Sequence, residues 1–203
     1  MQPLEKLAKL FEQFPGIGKR QAKRFVYFIL HKNQAYLQEL IEEMQKVKNE
    51  IHQCQSCYRF YPKNGKNICE ICAEENRSKQ ILIVEKDADL EKIHTSKLYE
   101  GKYFVLGGFI ASHEKRKNYA RTEELFRRIR EDREKGILEE VIFGLSVSPE
   151  AEHTRLHLSS LLKKEFPDLQ ISTLGRGLST GTELEYSDNE TLKYAFQSRI
   201  KEQ

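Results

Sequence analysis

The chain has 203 residues and a net charge of +3, with 38% hydrophobic and 32% charged residues. This length allows one or two domains with a modest core, and no segment approaches the roughly 18 apolar residues of a membrane span. The start of the sequence lacks the basic residues and apolar block of a signal peptide, so we expect a cytoplasmic protein with no membrane partner.

The first fifty residues predict three helices. Apolar residues at helical spacing indicate a helix over residues 3–14. A second helix with an apolar face is predicted to begin at about Lys19. Between these helices, the Pro-Gly-Ile-Gly sequence at 15–18 predicts a tight turn that ends one helix and opens the next. A third helix is expected over residues 34–51.

The second helix carries a local concentration of positive charge. From Pro15 to Asn33 the chain has five basic residues and no acidic one. Glycines let a ligand approach the backbone closely, and the amides of a helix N-terminus favour an anion. This pattern is typical of a helix-hairpin-helix motif, which holds the DNA backbone without reading its sequence, although a plain helix–helix turn is the alternative. The candidate DNA-binding residues are Gly16, Gly18, Lys19, Arg20, Lys23 and Arg24.

The only four cysteines of the chain occur as Cys54-x-x-Cys57 and Cys69-x-x-Cys72. Two such pairs can place four thiolates around one Zn²⁺, which is the closed tetrahedral set of a structural site. The flanking residues are mostly polar and turn-forming, so a bound metal must supply the folding energy of this segment. We therefore predict one structural Zn²⁺ per chain, with a disulfide pair and an iron–sulfur cluster as alternatives.

After the cysteines, short β-branched runs alternate with helical patterns. The predicted strands span 80–85, 103–106, 140–145 and 169–174, and the predicted helices span 87–98, 122–135 and 150–166. Alternation of this kind indicates a parallel sheet with helices on both faces. A Gly-rich loop from Gly175 and a helix over 188–199 complete the chain.

Several of these segments occur together in one known family. They are Phe14 to Gly18, the four cysteines with Arg77 downstream, Val84-Glu85, Val105 to Gly108, Arg176-Gly177-Leu178 with Gly181, Leu184 to Tyr186 and Thr191-Leu192. In this order, and over nearly the whole chain, they resemble the RecR family of bacterial recombination mediators. The sequence departs from the family pattern at Phe104, in the loop over 111–121, at Ala151 and at Ser179, which indicates a divergent member.

The resemblance implies an α+β fold in several parts. These are a helix-hairpin-helix DNA-binding region (1–52), a four-cysteine zinc finger (53–77), a Toprim domain with a mostly parallel sheet (78–174) and a C-terminal loop-helix tail that makes subunit contacts (175–203). In this family Arg20 and Arg24 carry over as DNA-binding residues and the four cysteines as zinc ligands.

The resemblance also implies a non-enzymatic mediator of recombinational DNA repair. Members form ring-shaped tetramers that encircle DNA, and they act with RecO and RecF to load RecA on gapped single-stranded DNA. The expected partners are therefore DNA in single-stranded, duplex or gapped form, RecO, RecF and further copies of this chain. The expected location is the bacterial cytoplasm, in association with the nucleoid.

A Toprim-type nuclease, primase or topoisomerase is the alternative from another functional class. Such enzymes hold Mg²⁺ with carboxylates, commonly a strand-end glutamate and a later Asp-x-Asp. Glu85 occupies the first of these positions, but Ser146 and Ser148 fall on the other two. A partial site could be rebuilt from Asp87, Asp89, Glu150 and Glu152, although acidic residues also stabilise helix N-termini.

We therefore expect no catalysis and interpret Glu85 and Glu150 as candidate partner-binding residues. A third alternative is a zinc-ribbon adaptor that does not bind DNA. The acid-free basic helix that follows the Pro-Gly-Ile-Gly turn argues against that alternative.

Overall fold

A computed structural model describes residues 2–110, 120–175, 177–178, 181 and 183–199. The chain divides into an N-terminal unit, residues 1–52, and a C-terminal unit, residues 53–203. No helix among the described residues combines the length and the apolar character that crossing a bilayer requires.

Three helices form the N-terminal unit: α1 (Pro3–Phe11), α2 (Lys19–Leu30) and α3 (Gln34–Glu50). Its buried centre is small and consists of Ala8, Ala22 and Val26. The helix α1 ends three residues earlier than predicted, because Pro15 cannot continue a helix and the chain turns before it. On α3 no residue is buried, although the helix carries the predicted apolar stripe.

The C-terminal unit contains a four-stranded sheet and the segment with the four cysteines, residues 53–77, here called the metal-binding segment. Its elements are β1 (Ile51–Gln53, which begins at the unit boundary), β2 (Phe60–Pro62), α4 (Glu70–Ala73), β3 (Ser78–Val84), α5 (Asp87–Ser96), β4 (Gly101–Val105), α6 (Thr122–Glu134), β5 (Glu140–Gly144), α7 (Pro149–Glu165), β6 (Gln170–Thr173), a 3₁₀ turn (Leu184–Tyr186) and α8 (Asn189–Gln197). The strands β1 and β2 pair with each other.

The larger sheet has the strand order β4-β3-β5-β6, and each neighbouring pair is parallel. This confirms the predicted α/β sheet. β3 lies between β4 and β5. The chain passes from β3 to β4 on one side and later returns to β5 on the other side, so the strand order reverses direction between β3 and β5. In open parallel sheets, this switch point at the carboxyl ends of the strands is where ligands bind.

The side chains of β3 alternate between two hydrophobic clusters. Ile81 and Ile83 pack into a cluster that includes buried residues of α6 and α7. Leu82 and Val84 pack into another cluster, with Leu90 of α5 and the buried cysteines. Successive side chains of a strand point to opposite faces, so the helices cover both faces as predicted.

The metal-binding segment contributes more apolar packing than its sequence indicates. Tyr61 and Ile71 are each 1% exposed and lie in the same cluster as the inward residues of β3 and β4. The expectation that metal alone supplies the folding energy of this segment is therefore incomplete. The apolar partners that complete its core lie in distant parts of the sequence.

Candidate metal centre and nucleic-acid interface

The four cysteine sulfurs converge on one point. Their Sγ atoms all lie within 4.8 Å of one another, and the Sγ atoms of Cys57 and Cys69 are 3.6 Å apart. Cys54, Cys57 and Cys69 are buried, Cys72 is half-buried, and none forms a disulfide. The structure thus brings together all four ligands predicted from the sequence. Because the four cysteines are free, it does not support the alternative of a disulfide pair.

The spacing of the sulfurs fits a tetrahedral metal ion. Zn–S bonds of about 2.3 Å place the corners of a tetrahedron about 3.8 Å apart, close to the observed sulfur separation. The Sγ atom of Cys54 also accepts hydrogen bonds from the backbone N–H groups of Cys57 (3.5 Å) and Cys69 (3.3 Å). Two donors directed at one sulfur suit a thiolate better than a thiol. The cluster could therefore hold a divalent ion and leaves no ligand position for water.

Ionisation of the four sulfurs is interdependent. Hydrogen bonding with Cys57, and then with Cys69 and Cys72, lowers the pKa of Cys54. The reciprocal contacts, with Cys54 first, raise the pKa of Cys57 far above its usual range. Neighbouring thiolates repel one another, so one sulfur ionises at the expense of the next. A divalent cation at the centre removes this conflict.

A buried group of charges lies beside the cysteine segment. The Nε atom of Arg128 donates to Asp132 at 2.7 Å, and Nζ of Lys102 lies 3.8 Å from the same carboxylate. Two cations thus share one buried anion, which leaves an excess of positive charge. Arg128 and Cys54 line the same cavity of about 630 Å³. A divalent ion with four thiolates has an excess of negative charge, so the two groups are electrostatically complementary.

Backbone hydrogen bonds attach the metal-binding segment to the sheet. The N–H of Val105, at the end of β4, donates to the carbonyl oxygen of Cys57 at 2.8 Å. The N–H of Phe60 donates to Oδ1 of Asp87 at 2.6 Å. These bonds lie at Cys57 and just after it, so they fix the metal-binding turn to the end of β4 and the start of α5.

Tyr58 connects the first cysteine pair to α6. It follows Cys57 with a left-handed φ of 63°, a conformation uncommon for a bulky residue. Its ring packs edge-on against Phe104 with the centroids 5.4 Å apart, and the guanidinium of Arg121 lies 5.3 Å from the same ring. Arg127 donates a hydrogen bond to the Tyr58 hydroxyl at 2.6 Å. The position of the metal-binding turn therefore fixes the start of α6.

Sequence reasoning did not identify Tyr58, Arg121 or Arg127 as parts of this site. The two arginines lie more than sixty residues after the first cysteine pair, so spacing gives no signal for the contact. The one local signal in the sequence was an aromatic residue, Tyr58, immediately after the first CxxC pair.

The carboxyl edge of the sheet holds the residues predicted to bind a partner. Glu85 follows β3 directly and is half-buried, whereas Glu150 is exposed in the first turn of α7. The hydroxyl of Ser146 donates to Oε2 of Glu85 at 3.3 Å. The hydroxyl of Ser148 caps α7 by accepting from the N–H of Ala151 at 3.1 Å. The two serines therefore have structural roles at the switch point.

Three of the acidic residues that could rebuild a magnesium site are engaged elsewhere. Asp87 accepts from the Phe60 N–H, and Asp89 accepts from the N–H of Lys86 at 3.2 Å. Glu152 pairs with Arg155 on the same helix. The first interaction attaches the metal-binding segment, the second caps α5 and the third lies within α7, so all three favour structural roles for these residues.

The helical turn in the N-terminal unit presents a basic surface. Gly16 has a φ of +75°, which favours glycine, while Gly18 is extended with a φ of −87° and precedes α2. All four candidate cationic side chains, namely Lys19, Arg20, Lys23 and Arg24, are exposed. Arg24 makes one weak local contact, donating to Oε1 of Gln21 at 3.3 Å. The structure therefore places the four candidate cationic residues together on the surface of α2, directly after the turn that contains Gly16 and Gly18.

The Gly-rich tail is described only in part. Arg176 and Ser179 lie outside the described residues, as does the basic run at 115–117. In the described part of the tail, Leu184, Tyr186 and Phe196 are exposed by 62%, 76% and 69%. Large apolar side chains exposed so close together are typical of an interaction surface.

Comparison with known proteins gives similar sequences along nearly the full length. The family model described as RecR, C-terminal, matches residues 177–200. A Recombination protein RecR from Prochlorococcus marinus is 34% identical over 191 residues, which is 93% of this chain and 96% of that protein. Proteins of the same name from Amoebophilus asiaticus and Ureaplasma parvum are 32% and 30% identical, each over 97% of this chain and 95% of theirs.

Removal of the metal should destabilise the sheet as well as the cysteine segment, because both share one hydrophobic cluster. Loss of even about 5 kcal/mol of metal-derived stability corresponds to a fall of about 10–20 °C in the unfolding midpoint. Thermal unfolding of the purified chain with and without a strong chelator measures this. The variant Cys54→Ser is the control, since the chelator should have little effect on it. An unchanged midpoint in the unaltered chain would contradict a structural metal.

Proposed function

Because the chain belongs to the RecR family of recombination proteins, we propose that it acts as a non-enzymatic, DNA-binding mediator of recombinational DNA repair. In this proposal it works with RecO and RecF to load RecA on gapped single-stranded DNA, in the bacterial cytoplasm at the nucleoid. The observation that carries the proposal is an acid-free basic helix opened by a glycine turn, in a chain with this family membership.

DNA contact is assigned to the hairpin around Gly16 and Gly18. Nothing lies within 4 Å of the position where a Cβ of Gly18 would stand, so the fold itself does not require glycine there. A phosphate that approaches the first amides of α2 would require that space. Arg20 and Arg24 are one turn apart on α2 and would flank the same stretch of backbone.

The proposed metal is Zn²⁺, one per chain. Four thiolates in a closed tetrahedral set suit its coordination, and the sulfur spacing is compatible with its bond lengths. In this proposal, residues 53–77 form the zinc finger and hold the metal for structure, next to a Toprim domain over residues 78–174. Elemental analysis of the purified chain identifies the ion.

Self-association into a ring-shaped tetramer is supported by exposed apolar surface in both units. Among residues 2–52, the fully buried side chains are those of Ala8, Ala22 and Val26, while Ile41, Met44 and Val47 on α3 are 41–58% exposed. The tail adds the apolar side chains of its 3₁₀ turn and of α8. Surfaces of this kind are expected to be covered in an oligomer, so the tail, residues 175–203, is proposed to contact other subunits.

Replacement of Arg20 and Arg24 by alanine should weaken DNA binding by removing two phosphate contacts. The slope of log affinity against log salt should fall by about 1.8 for duplex DNA, or about 1.4 for single strands. Fluorescence anisotropy over a salt series measures both quantities. Lys6→Ala with Lys9→Ala on α1 is a control of equal charge. If affinity and slope are unchanged, the zinc-ribbon adaptor without DNA binding becomes the better account.

The variant Gly18→Ser separates DNA contact from folding. Serine is a good N-cap residue, and its side chain would occupy open space in the free protein. Stability should therefore be maintained, while DNA affinity falls because the side chain obstructs the phosphate. Full affinity in this variant would indicate that DNA does not approach the α2 amides.

Charge reversal at Glu85 or Glu150 should weaken RecO binding, because both carboxylates lie at the carboxyl edge of the sheet. Loss of a charge pair at an interface typically costs several-fold to more than tenfold in affinity. Calorimetric titration with RecO compares Glu85→Lys and Glu150→Lys with the exposed control Glu91→Lys on α5. Equal binding by all three variants would remove these residues from the partner surface.

Native mass spectrometry should find a tetramer with one zinc per subunit. Met44→Glu with Val47→Glu should shift the population to smaller species, because charge on an apolar contact surface opposes its burial. Gln45→Glu with Asn49→Glu adds the same charge at polar positions of α3 and should leave the tetramer intact. A monomeric unaltered chain would remove the encircling mechanism and leave a DNA-binding adaptor.

A further inference from the structure

Two histidines stack on the exposed side of α7. His153 and His157 are four residues apart, so they lie on the same face of the helix, one turn from each other. Their ring centroids are 6.2 Å apart and the ring planes differ by only 19°. Both side chains are exposed. Within the described residues, neither imidazole forms a hydrogen bond or an ion pair.

The opposite side of α7 is fixed in the core. Ala151, Thr154 and Leu158 are at most 1% exposed. The hydroxyl of Thr154 donates to the carbonyl oxygen of Glu150 at 2.8 Å and accepts from the N–H of Ile110 at 2.9 Å. Because the backbone between the two histidines cannot shift, the imidazoles start from a fixed separation, which is how preorganised ligand sites are built.

A cavity with acidic walls adjoins the histidine pair. It has a volume of about 320 Å³ and is lined by His157 together with Glu123 and Glu124 from the first turn of α6. Thr122 lines the same cavity, and its Oγ1 atom is buried without a hydrogen-bond partner in the described part of the chain. Buried hydroxyl groups without a protein partner are commonly satisfied by water or a ligand.

We propose that His153 and His157 chelate a divalent transition-metal ion, with a carboxylate from the first turn of α6 as the third ligand. Imidazole and carboxylate donors suit ions such as Zn²⁺, Ni²⁺ or Co²⁺, whereas Mg²⁺ and Ca²⁺ prefer oxygen ligands alone. This site is separate from the four-cysteine cluster in both position and ligand type, and it goes beyond the DNA-mediator function.

The spacing of the two histidines on α7 allows their side chains to close on one ion. Metal–nitrogen bonds of about 2.0–2.1 Å hold two imidazole nitrogens about 3 Å apart. The Cβ atoms of residues four apart on a helix lie about 5–6 Å from each other, so rotation about the side-chain torsions can direct one nitrogen of each exposed ring to a common ion. Glu123 is exposed and its long side chain can rotate toward the same point.

The test uses Ni²⁺ as the probe on the full chain with its cysteine site already loaded with Zn²⁺. Isothermal titration calorimetry should detect one bound Ni²⁺ per chain, while zinc retained on the protein is measured in parallel. His153→Asn and His157→Asn should each weaken Ni²⁺ binding at least tenfold. Glu123→Gln with Glu124→Gln should weaken it several-fold.

Two controls separate chelation from the mere presence of histidines. His31→Asn, at an exposed position in the N-terminal unit, should leave Ni²⁺ binding unchanged. His157→Asn with Ser160→His keeps two histidines on α7 but places them about 10.5 Å apart along the helix axis, too far to chelate one ion.

Chelation predicts that this relocated pair loses Ni²⁺ binding to the same extent as His157→Asn alone. The proposal is overturned if the unaltered chain binds no Ni²⁺ beyond its zinc, if Ni²⁺ binds only by displacing zinc, or if the relocated pair binds as tightly as the original pair. Unchanged binding in the double glutamine variant would overturn the assignment of the third ligand.

Discussion

The four-sulfur cluster is the interaction on which the cysteine segment and the cover of one sheet face depend. The sulfurs lie in the same buried cluster as Tyr61, Ile71 and the inward residues of β3 and β4, so the metal-binding segment also covers one face of the sheet. Thiolates at this spacing repel one another unless a cation lies between them. Charge balance at one point therefore determines whether an apolar sheet face is shielded from water.

The carboxyl edge of the sheet pairs a glutamate with a serine at the switch point. The strand order places β3 next to β5, and Glu85 and Ser146 meet there through a hydrogen bond of 3.3 Å. A serine hydroxyl supplies no charge to balance a divalent ion, whereas aspartate at that position would. At this edge Glu85 is therefore half-buried and hydrogen-bonded to a neutral side chain.

Elements with long periodic patterns were predictable from the sequence, and contacts between distant segments were not. The strand β3 and the helix α7 follow from their apolar patterns, and the metal ligands follow from their spacing. The strands β1 and β2 and the helix α4 have three or four residues each, too few for a periodic signal. The Tyr58–Arg127 and Phe60–Asp87 hydrogen bonds join residues 69 and 27 positions apart, so only the folded backbone brings them together.

The four-sulfur cluster and the sheet also differ in the sequence separation between the residues that they bring into contact. The sulfurs of Cys57 and Cys69 are separated by 12 positions, whereas Gln80 of β3 pairs with Glu140 of β5 across 60. Closing a longer loop costs more chain entropy, and long-range parallel pairing is slow. The metal-bound turn should therefore form first and offer β3 and β4 a surface on which to condense. A divalent ion held by the four sulfurs would then be a folding template for the sheet as well as a support for the cysteine segment.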